Sequence, residues 1–224
     1  MLRAIFFDFD GVIVLSEPLH FAAFAEVFAP RGVALSEHAY YERYLSLTDR
    51  EAIERVIDDA GRTDLLGEAP ALLREKIEAM AHRIALGMPL CPGVEDFIAA
   101  AALRFPLAIV SAAIRPEIES ILERTSLRRY FTTIVSADDV TSGKPDPAGY
   151  RLGVERLRDA VAGLAPSECL AIEDSPNGIV AARAAGLRVL ALPHTRPAAE
   201  LAGADFVAPS YVAVDWNAIE ARFR

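Results

Sequence analysis

Cysteine is scarce in this chain of 224 residues, which contains only Cys91 and Cys169. Two cysteines this far apart in sequence indicate neither a disulfide framework nor a metal cluster, and we expect both to be small buried hydrophobic residues. Lysine is equally scarce, because Lys76 and Lys144 are the only two and arginine supplies the remaining basic residues. Genomic base composition can produce such a bias, but the bias also makes each lysine a candidate functional residue.

The chain also lacks a surplus of positive charge and a long apolar segment. Its formal net charge of −9 disfavours general nucleic-acid binding, which requires a basic surface. No apolar stretch reaches the roughly 20 residues that a membrane-spanning helix needs. The N-terminus has no signal-peptide pattern, because Asp8 and Asp10 directly follow the mostly apolar residues 2–7. We therefore expect a cytoplasmic protein that binds neither nucleic acid nor membranes, while its oligomeric state cannot be read from the sequence.

Short apolar runs alternate with helical stretches over most of the chain. A continuous apolar run of this length is typical of a strand in a parallel sheet that is covered on both faces. The predicted strands cover residues 3–8, 107–110, 133–135, 169–172, 189–192 and 205–207. Strands that alternate with helices predict an α/β fold with a Rossmann-like, doubly wound parallel sheet.

One segment departs from this alternation, since residues 17–87 contain no convincing strand pattern. Amphipathic stretches there predict helices at residues 19–28, 36–44, 49–60 and 71–86. We therefore expect an α/β core formed by residues 1–15 and 88–224, and a helical cap domain formed by residues 16–87. This cap is inserted after the first strand and is expected to cover the C-terminal edge of the sheet.

Acidic pairs follow two of the predicted strands. Asp8 and Asp10 come at the end of the first strand, and Glu173 and Asp174 follow the strand at residues 169–172. In open α/β sheets, ligands bind beyond the carboxyl ends of the strands, where two acidic strand ends can converge. Several carboxylate oxygens together suit Mg²⁺ better than zinc. Taken alone, the first pair is better explained as a solvated turn and the second as a helix N-cap, although capping is compatible with metal binding.

Two further strand ends carry a hydroxyl group and a lysine. Ser111 follows the strand at residues 107–110, where a hydroxyl and free backbone N–H groups can hold a phosphate. Lys144 lies between a glycine and two prolines, in a rigid loop that can hold the lysine near acidic groups and phosphate. Each signal is weak alone, because serine is common at strand ends and a loop lysine is usually exposed.

The four signals occur in order at four successive strand ends, and together they resemble the four motifs of the haloacid dehalogenase (HAD) superfamily over the whole chain. The stretch from Asp8 to His20, with Gly11-Val12 and Ser16-Glu17-Pro18, resembles the subgroup of β-phosphoglucomutase, phosphoglycolate phosphatase and many sugar-phosphate phosphatases. In that subgroup a helical cap follows the first motif. The resemblance implies a Mg²⁺-dependent phosphotransferase, and above all a phosphatase that acts on a small phosphorylated metabolite.

The resemblance also implies a covalent mechanism and its residues. Asp8 attacks phosphorus and becomes an aspartyl phosphate, Asp10 protonates the leaving oxygen and then deprotonates water, and Lys144 links Asp8 to the phosphate. Ser111 and nearby N–H groups, including that of Ala112, hold the phosphoryl oxygens. The implied Mg²⁺ ligands are Asp8, the backbone carbonyl of Asp10, Asp174 and, in or next to the coordination shell, Glu173.

Residues of the cap match functional positions less completely. His20 and Lys76 match hinge-region positions that help couple cap closure to the placement of the acid/base residue. The alternatives are a histidine near a helix start and a lysine on a solvated helix face. Where the subgroup often has aspartate, this chain has Leu15, and the difference concerns cap closure and not the chemistry.

Substrate-binding positions distinguish a mutase from a phosphatase. The mutase holds the distal phosphate of a sugar bisphosphate with an arginine and a serine of its cap, and the aligned residues here are Asp49 and Ala52. It also has Lys-Asn after the second motif, where this chain has Ile114-Arg115. Arg50 is one residue away from the aligned position and can substitute as a substrate-binding residue. A second phosphate site is therefore poorly supported, and we expect net hydrolysis.

Several alternatives remain open from the sequence. The first is a hexose phosphate mutase. The second is a haloacid dehalogenase, a metal-independent enzyme, but dehalogenases lack aspartate at the position of Asp10. The third is a phosphonate hydrolase, which forms a Schiff base with a cap lysine, but the cap lysine here, Lys76, matches a hinge position. A regulatory domain that only binds phosphate need not retain all the catalytic groups together. The substrate is equally open among phosphoglycolate, hexose or pentose monophosphates and polyol phosphates.

Overall fold

The structure, a computed structural model, describes residues 1–45 and 47–223. The chain divides into two compact units, one formed by Met1–Leu15 together with Pro89–Arg224 and the other by Ser16–Met88. The first unit contains a β-sheet and is called the core below. The second unit is helical and is called the cap.

Six strands form one parallel sheet in the core, and the predicted doubly wound α/β fold is confirmed. The strands are β1 (Ala4–Phe7), β2 (Leu107–Val110), β3 (Phe131–Val135), β4 (Cys169–Glu173), β5 (Arg188–Ala191) and β6 (Phe206–Val207). Every residue of β1 and β2 is buried. Both faces of these strands are therefore covered, which explains why their sequences are apolar throughout and do not alternate with polar residues.

The strand order of the sheet is β3-β2-β1-β4-β5-β6. The chain proceeds outward from β1 to β3 and then crosses back to β4, from which it proceeds outward to β6 on the other side. Open sheets of this kind bind ligands at the point where the winding direction reverses, which lies between β1 and β4. The parallel register pairs Phe7 with Ile172, so that Asp8 and Glu173 follow at the same level of the sheet.

Helices form the cap between β1 and β2, as predicted. They are α1 (Glu17–Phe28), α2 (Glu37–Ala39), α3 (Asp49–Asp59) and α4 (Ala69–Leu86). The predicted helix at residues 36–44 widens after α2 into a π-helical turn, Tyr40–Tyr44. Helix α3 illustrates how the sequence specifies these elements, because Thr48 and Glu51 form a capping box at its start. Its buried residues recur at helical spacing on one face and are Ala52, Ile53, Val56 and Ile57.

Further helices cover the sheet of the core. They are α5 (Val94–Ala102), α6 (Arg115–Arg124), α7 (Ala148–Leu157), α8 (Pro176–Ala184) and α9 (Trp216–Ala221). Helix α7 packs closely on the sheet, because a Cβ atom at Gly153 would lie only 2.8 Å from the ring of Phe6. This close approach brings the fully buried side chain of Tyr150 to the sheet.

The expectation for the two cysteines is confirmed, since Cys91 and Cys169 are buried and both are free thiols. Within residues 1–45 and 47–223, none of the helices combines the length and the apolar character that crossing a bilayer requires.

Candidate active site

Three carboxylates converge where β1 and β4 end. Asp8 directly follows β1 and its backbone N–H donates to the carbonyl of Ile172, at 3.0 Å. Asp8, Glu173 and Asp174 each offer an oxygen that lies within 4.8 Å of the oxygens of the other two. Their exposed fractions are only 8%, 0% and 5%. The structure therefore brings together three of the residues that the sequence singled out as metal ligands.

Lys144 lies between two of these carboxylates. Its Nζ atom is 2.8 Å from Asp8 Oδ1 and 2.7 Å from Glu173 Oε1. Burial acts to lower the pKa of Lys144, but the charges of Asp8 and Glu173 outweigh it and hold the pKa above the usual lysine range. The lysine is therefore fully protonated at neutral pH, and its positive charge is shared by two carboxylates.

Negative charge remains in excess around this single ammonium group. Burial, followed by the charge of Asp8, raises the pKa of Asp174 well above its ordinary value. Burial also raises the pKa of Glu173 to about 7, with Lys144 opposing the shift and Asp8 adding to it. The positive charge of one lysine does not balance three buried carboxylates, and a divalent cation would supply the missing positive charge.

Two residues of neighbouring helices position the Glu173 carboxylate. The hydroxyl of Tyr150 in α7 donates to Glu173 Oε1 at 2.5 Å. In the first turn of α8, a Cβ atom at Gly178 would lie 1.9 Å from Glu173 Oε2 and 2.2 Å from Oε1. Ser175 caps this helix by accepting the N–H of Gly178 at 3.1 Å. Glycine is therefore required at position 178 to leave room for the carboxylate.

Asp10 lies in a tight turn directly after Asp8 and is half-buried. The turn is closed by two backbone hydrogen bonds, from Gly11 N–H to the carbonyl of Val14 at 2.7 Å and from Val14 N–H to the carbonyl of Phe9 at 3.0 Å. Gly11 has a positive φ of 71°, a conformation that glycine adopts readily. The turn thus holds Asp10 close to Asp8 at the same strand end.

The predicted phosphate-binding residues lie at the end of β2. Ser111 is buried, its hydroxyl accepts the N–H of Ala113 at 2.9 Å, and its own N–H donates to the carbonyl of Val135 at 2.9 Å. The Ser111 N–H is therefore already used, and the hydroxyl of Ser111 and the N–H of the exposed Ala112 remain for a ligand. Both residues line a cavity of about 230 Å³, together with Thr141, Ser142, Lys144 and Tyr150.

The cap contains a separate buried cluster of charged residues. Lys76 is 1% exposed, and its Nζ atom lies 2.8 Å from His20 Nδ1 and 5.0 Å from the ring centroid of Phe24. The same ammonium group lies 2.6 Å from both carboxylate oxygens of Asp49. Burial, and then the charge of Lys76, lower the pKa of His20 to about 4, so the imidazole is neutral at pH 7. Arg50, which is exposed at the start of α3, is not part of this cluster.

Arg115 is held by an acidic residue of the core. Its guanidinium donates to Asp139 Oδ2 at 2.6 Å and to the carbonyl of Ile134 at 2.9 Å. Arg156 donates to the other oxygen of the same carboxylate at 2.7 Å. This network ties β3 to the helices beside it, and it occupies the guanidinium of Arg115, one of the two residues found where the mutase has Lys-Asn.

Three residues that contact the acidic site were not predicted from the sequence. Tyr150 and Gly178 read as ordinary helix residues, and Thr195, whose hydroxyl donates to Asp174 Oδ2, follows β5 in a loop. A glycine in the first turn of a helix and a hydroxyl after a strand end are weak signals. They become informative only when the acidic pair at residues 173–174 is already suspected of binding a ligand.

A doubly wound sheet with buried acids at its switch point and a helical insert after the first strand defines a class of phosphate-transferring hydrolases. The chain belongs to the haloacid dehalogenase-like hydrolases, whose family model matches residues 5–192. It is thus a HAD-superfamily phosphatase, and the predicted enzyme class is confirmed.

Curated relatives match most of the chain. Validoxylamine A 7′-phosphate phosphatase of Streptomyces hygroscopicus is 30% identical, over 96% of this chain and 97% of its own length. Fructose-1-phosphate phosphatase YqaB of Escherichia coli is 34% identical, over 81% of this chain and 91% of its own. Among solved structures, a mutant of CbbY from Rhodobacter sphaeroides in complex with xylulose 1,5-bisphosphate is 31% identical, with a TM-score of 0.71. That match covers 94% of this chain and 95% of CbbY.

Proposed function

We propose that this chain is a Mg²⁺-dependent phosphatase of small sugar-phosphate-like metabolites, and that it acts through an aspartyl phosphate at Asp8. The observation that carries the proposal is the contact of Lys144 with both Asp8 and Glu173 inside a buried set of three carboxylates. A purely structural ion pair would need one carboxylate for one lysine. A buried surplus of carboxylates costs several kcal/mol per unpaired charge unless a cation offsets it, so a functional reason is required.

The donor set fits Mg²⁺. Carboxylate and carbonyl oxygens are the ligands that this ion prefers, and the three acids offer oxygens within 4.8 Å of one another. Asp8, Asp174 and the backbone carbonyl of Asp10 would hold the ion, with Glu173 in or next to the coordination shell. When bound, Mg²⁺ supplies positive charge against the phosphoryl oxygens and the attacking carboxylate.

Asp8 is held as a nucleophile should be. Its Oδ1 atom accepts the N–H of Phe9 at 2.7 Å and contacts Lys144 Nζ at 2.8 Å. Both contacts fix the plane of the carboxylate and leave Oδ2 to attack phosphorus, which reduces the entropy cost of reaching the in-line geometry. Lys144 also offsets the repulsion between the carboxylate and an incoming phosphate dianion.

Asp10 is the proposed proton carrier of both half-reactions. In the first, an Asp8 oxygen bonds to phosphorus, the bond to the leaving oxygen breaks, and Asp10 gives its proton to that oxygen. In the second, Asp10 takes a proton from water, whose oxygen attacks phosphorus and releases phosphate and the free Asp8 carboxylate. A proton carrier of this kind typically contributes about 10²- to 10⁴-fold to the rate.

The names of the relatives support sugar phosphates as the substrate class, and the contacts of Asp49 and Arg115 argue against a mutase. The two curated phosphatases named above act, by their names, on validoxylamine A 7′-phosphate and on fructose 1-phosphate. A mutase, in contrast, must also hold the distal phosphate of a bisphosphate. At the positions aligned with that function, Asp49 is acidic and paired with Lys76, and Arg115 is occupied by Asp139.

The test is phosphate release from a panel of sugar, polyol and two-carbon phosphates, with Mg²⁺ and after exhaustive chelation. We expect turnover only with the metal. Asp8→Asn should abolish turnover, because an amide cannot form the acyl phosphate, and Asp10→Asn should slow it by about 10²- to 10⁴-fold. Asp159→Asn, at an exposed acid of the core, is the matched control and should behave as the parent.

Two results would contradict the proposal. Undiminished turnover after chelation would exclude the metal-dependent reaction, and near-normal rates for Asp8→Asn would exclude the covalent intermediate. Detection of a phosphorylated Asp8 by mass spectrometry in Asp10→Asn, after reaction with a substrate that has a good leaving group, would support the first half-reaction directly and the role of Asp10 in the second.

A further inference from the structure

The loop after β5 contacts both acidic strand ends of the core. The Thr195 hydroxyl donates to Asp174 Oδ2, and His194 Nδ1 lies 2.9 Å from the backbone carbonyl of Gly11. A carbonyl oxygen only accepts, so His194 carries its ring proton on Nδ1 in this contact. Residues 194 and 195 thus join the turn that carries Asp10 to the carboxylate of Asp174.

These contacts are made in a space without room for adjustment. A Cβ atom at Gly11 would lie 1.9 Å from Asp174 Oδ2 and 2.8 Å from Thr195 Cγ2. The His194 ring lies 5.8 Å from the ring of Tyr211, whose hydroxyl donates to the carbonyl of Val12 at 2.7 Å. Two residues from the C-terminal part of the chain therefore hold two successive carbonyls of the Asp10 turn.

Without the hydrogen bond from Thr195, the Asp174 carboxylate would tend to rotate away from its neighbours. It is 5% exposed and lies next to two other carboxylates, whose charges repel it. The hydroxyl of Thr195 engages one of its oxygens and leaves Oδ1 for another partner. Groups that hydrogen-bond a ligating carboxylate in this way fix its direction, and their loss typically weakens metal binding about 10- to 100-fold.

We propose that Thr195 is a positioning residue for the metal site, which directs Oδ1 of Asp174 toward the cation while His194 holds the Asp10 turn beside it. The inference rests on the Mg²⁺ site of the proposed function. Thr195 contacts neither substrate nor metal in this role and acts only through Asp174.

The test compares three substitutions at one position with one elsewhere. Thr195→Val keeps the shape and removes the hydroxyl, Thr195→Ala removes it with less bulk, and Thr195→Ser restores it. Thr132→Val, at an exposed threonine of β3, is the matched control. Mg²⁺ binding is measured calorimetrically on the metal-free protein without substrate, and kcat is measured at saturating Mg²⁺.

We expect the hydroxyl-free variants to bind Mg²⁺ about 10- to 100-fold more weakly, with Thr195→Ser and Thr132→Val close to the parent. At saturating Mg²⁺, kcat should recover to within a few-fold. The comparison uses the hydroxyl-free variant whose melting temperature without metal equals that of the parent. If that variant binds Mg²⁺ as tightly as the parent, the inference about Thr195 is overturned, while the proposed function is not affected. If the parent itself bound no Mg²⁺, or if Asp174→Ala bound it normally, the proposed function would fail as well.

Discussion

The ammonium group of Lys76 lies 2.6 Å from both carboxylate oxygens of Asp49. Lys76 is almost completely buried, whereas about a third of the Asp49 side chain is exposed. A buried ammonium requires a partner, and the carboxylate is the only group in contact with it among the described residues that carries a negative charge. Asp49 is therefore a structural residue of the cap, which explains why an acid can occupy a position aligned with a phosphate-binding arginine.

Removing Asp49 alone should destabilise the protein more than removing both Asp49 and Lys76. Asp49→Ala leaves Lys76 buried without a counter-charge, and loss of one partner of a buried pair costs about 3–5 kcal/mol. Because Asp49 is partly exposed, we expect the free energy of unfolding measured in urea to fall by about 2–3 kcal/mol. The double variant Asp49→Ala, Lys76→Met removes both charges and should recover most of the loss. A double variant no more stable than Asp49→Ala would show that the charge of Lys76 is not the cause.

The lowered pKa of His20 makes a second stability prediction, which concerns acid. Burial, and then the charge of Lys76, lower the pKa from 6.5 to about 4, while Asp49 opposes the shift. Between these two values the unfolded chain binds more protons than the folded one, so the free energy of unfolding falls as pH falls from about 6.5 to 4. The contribution of this histidine is on the order of 3 kcal/mol.

His20→Asn isolates this contribution, because asparagine retains an acceptor for Lys76 but does not titrate. The parent should lose on the order of 3 kcal/mol more than this variant between pH 7 and pH 4 in denaturant titrations. His82→Asn, at an exposed histidine of α4, is the control and should lose as much as the parent. Equal losses in the parent and in His20→Asn would mean that His20 titrates normally in the fold.

The sequence predicted the residues that depend on strand ends. Asp8, Ser111 and Asp174 lie at the ends of apolar runs, and parallel strands place such positions at one edge of a sheet, so their prediction needed no tertiary detail. Lys144 lies further along, in the loop between β3 and α7, and its prediction rested on the rigid loop around it. The helical cap was predictable for a similar reason, since amphipathic periodicity is a local signal. Their catalytic roles rest on the resemblance to a family and remain predictions.

Contacts between distant side chains were not predictable in this way. Tyr150 reads as one more apolar residue of α7, yet its hydroxyl donates to Glu173. Arg115 reads as a free cation, yet Asp139 occupies it. Each of these contacts depends on the angle and depth at which two elements pack, and those are set by many side chains at once. Sequence periodicity does not contain that information.

Gly178 provides a third prediction, in which steric exclusion opposes helix propensity. Alanine favours a helix over glycine by about 1 kcal/mol, so Gly178→Ala should stabilise α8 if nothing else mattered. The added Cβ would lie 1.9 Å from Glu173 Oε2, however, and would displace the carboxylate from Lys144. A displacement of about 1 Å at a catalytic site can cost about 100-fold in rate, and we expect a loss of that size in kcat/KM.

The matched control for this substitution is Gly67→Ala. A Cβ atom at Gly67 meets open space, and its backbone is not in the positive φ region. This variant should keep parental activity. An active Gly178→Ala enzyme would show that Glu173 can move without consequence and would remove it from the proposed site.

The last prediction is net hydrolysis rather than return of the phosphoryl group to the substrate. A mutase must protect its aspartyl phosphate from water until a hydroxyl of the bound intermediate takes the group back, which requires firm binding of the distal phosphate. Here the aligned positions offer Asp49, which is paired with Lys76, and Ala52, which is buried, while Arg115 is held by Asp139. Arg50, which is exposed, remains as the candidate to bind a distal phosphate.

The test of net hydrolysis incubates the enzyme with glucose 1-phosphates and a trace of hexose bisphosphate, and both glucose 6-phosphate and free phosphate are followed. We expect slow phosphate release from these sugars, little glucose 6-phosphate, and faster release from another monophosphate of the panel. Isomerisation many times faster than phosphate release would overturn the phosphatase assignment, and loss of that isomerisation in Arg50→Ala would then identify the residue that binds the distal phosphate.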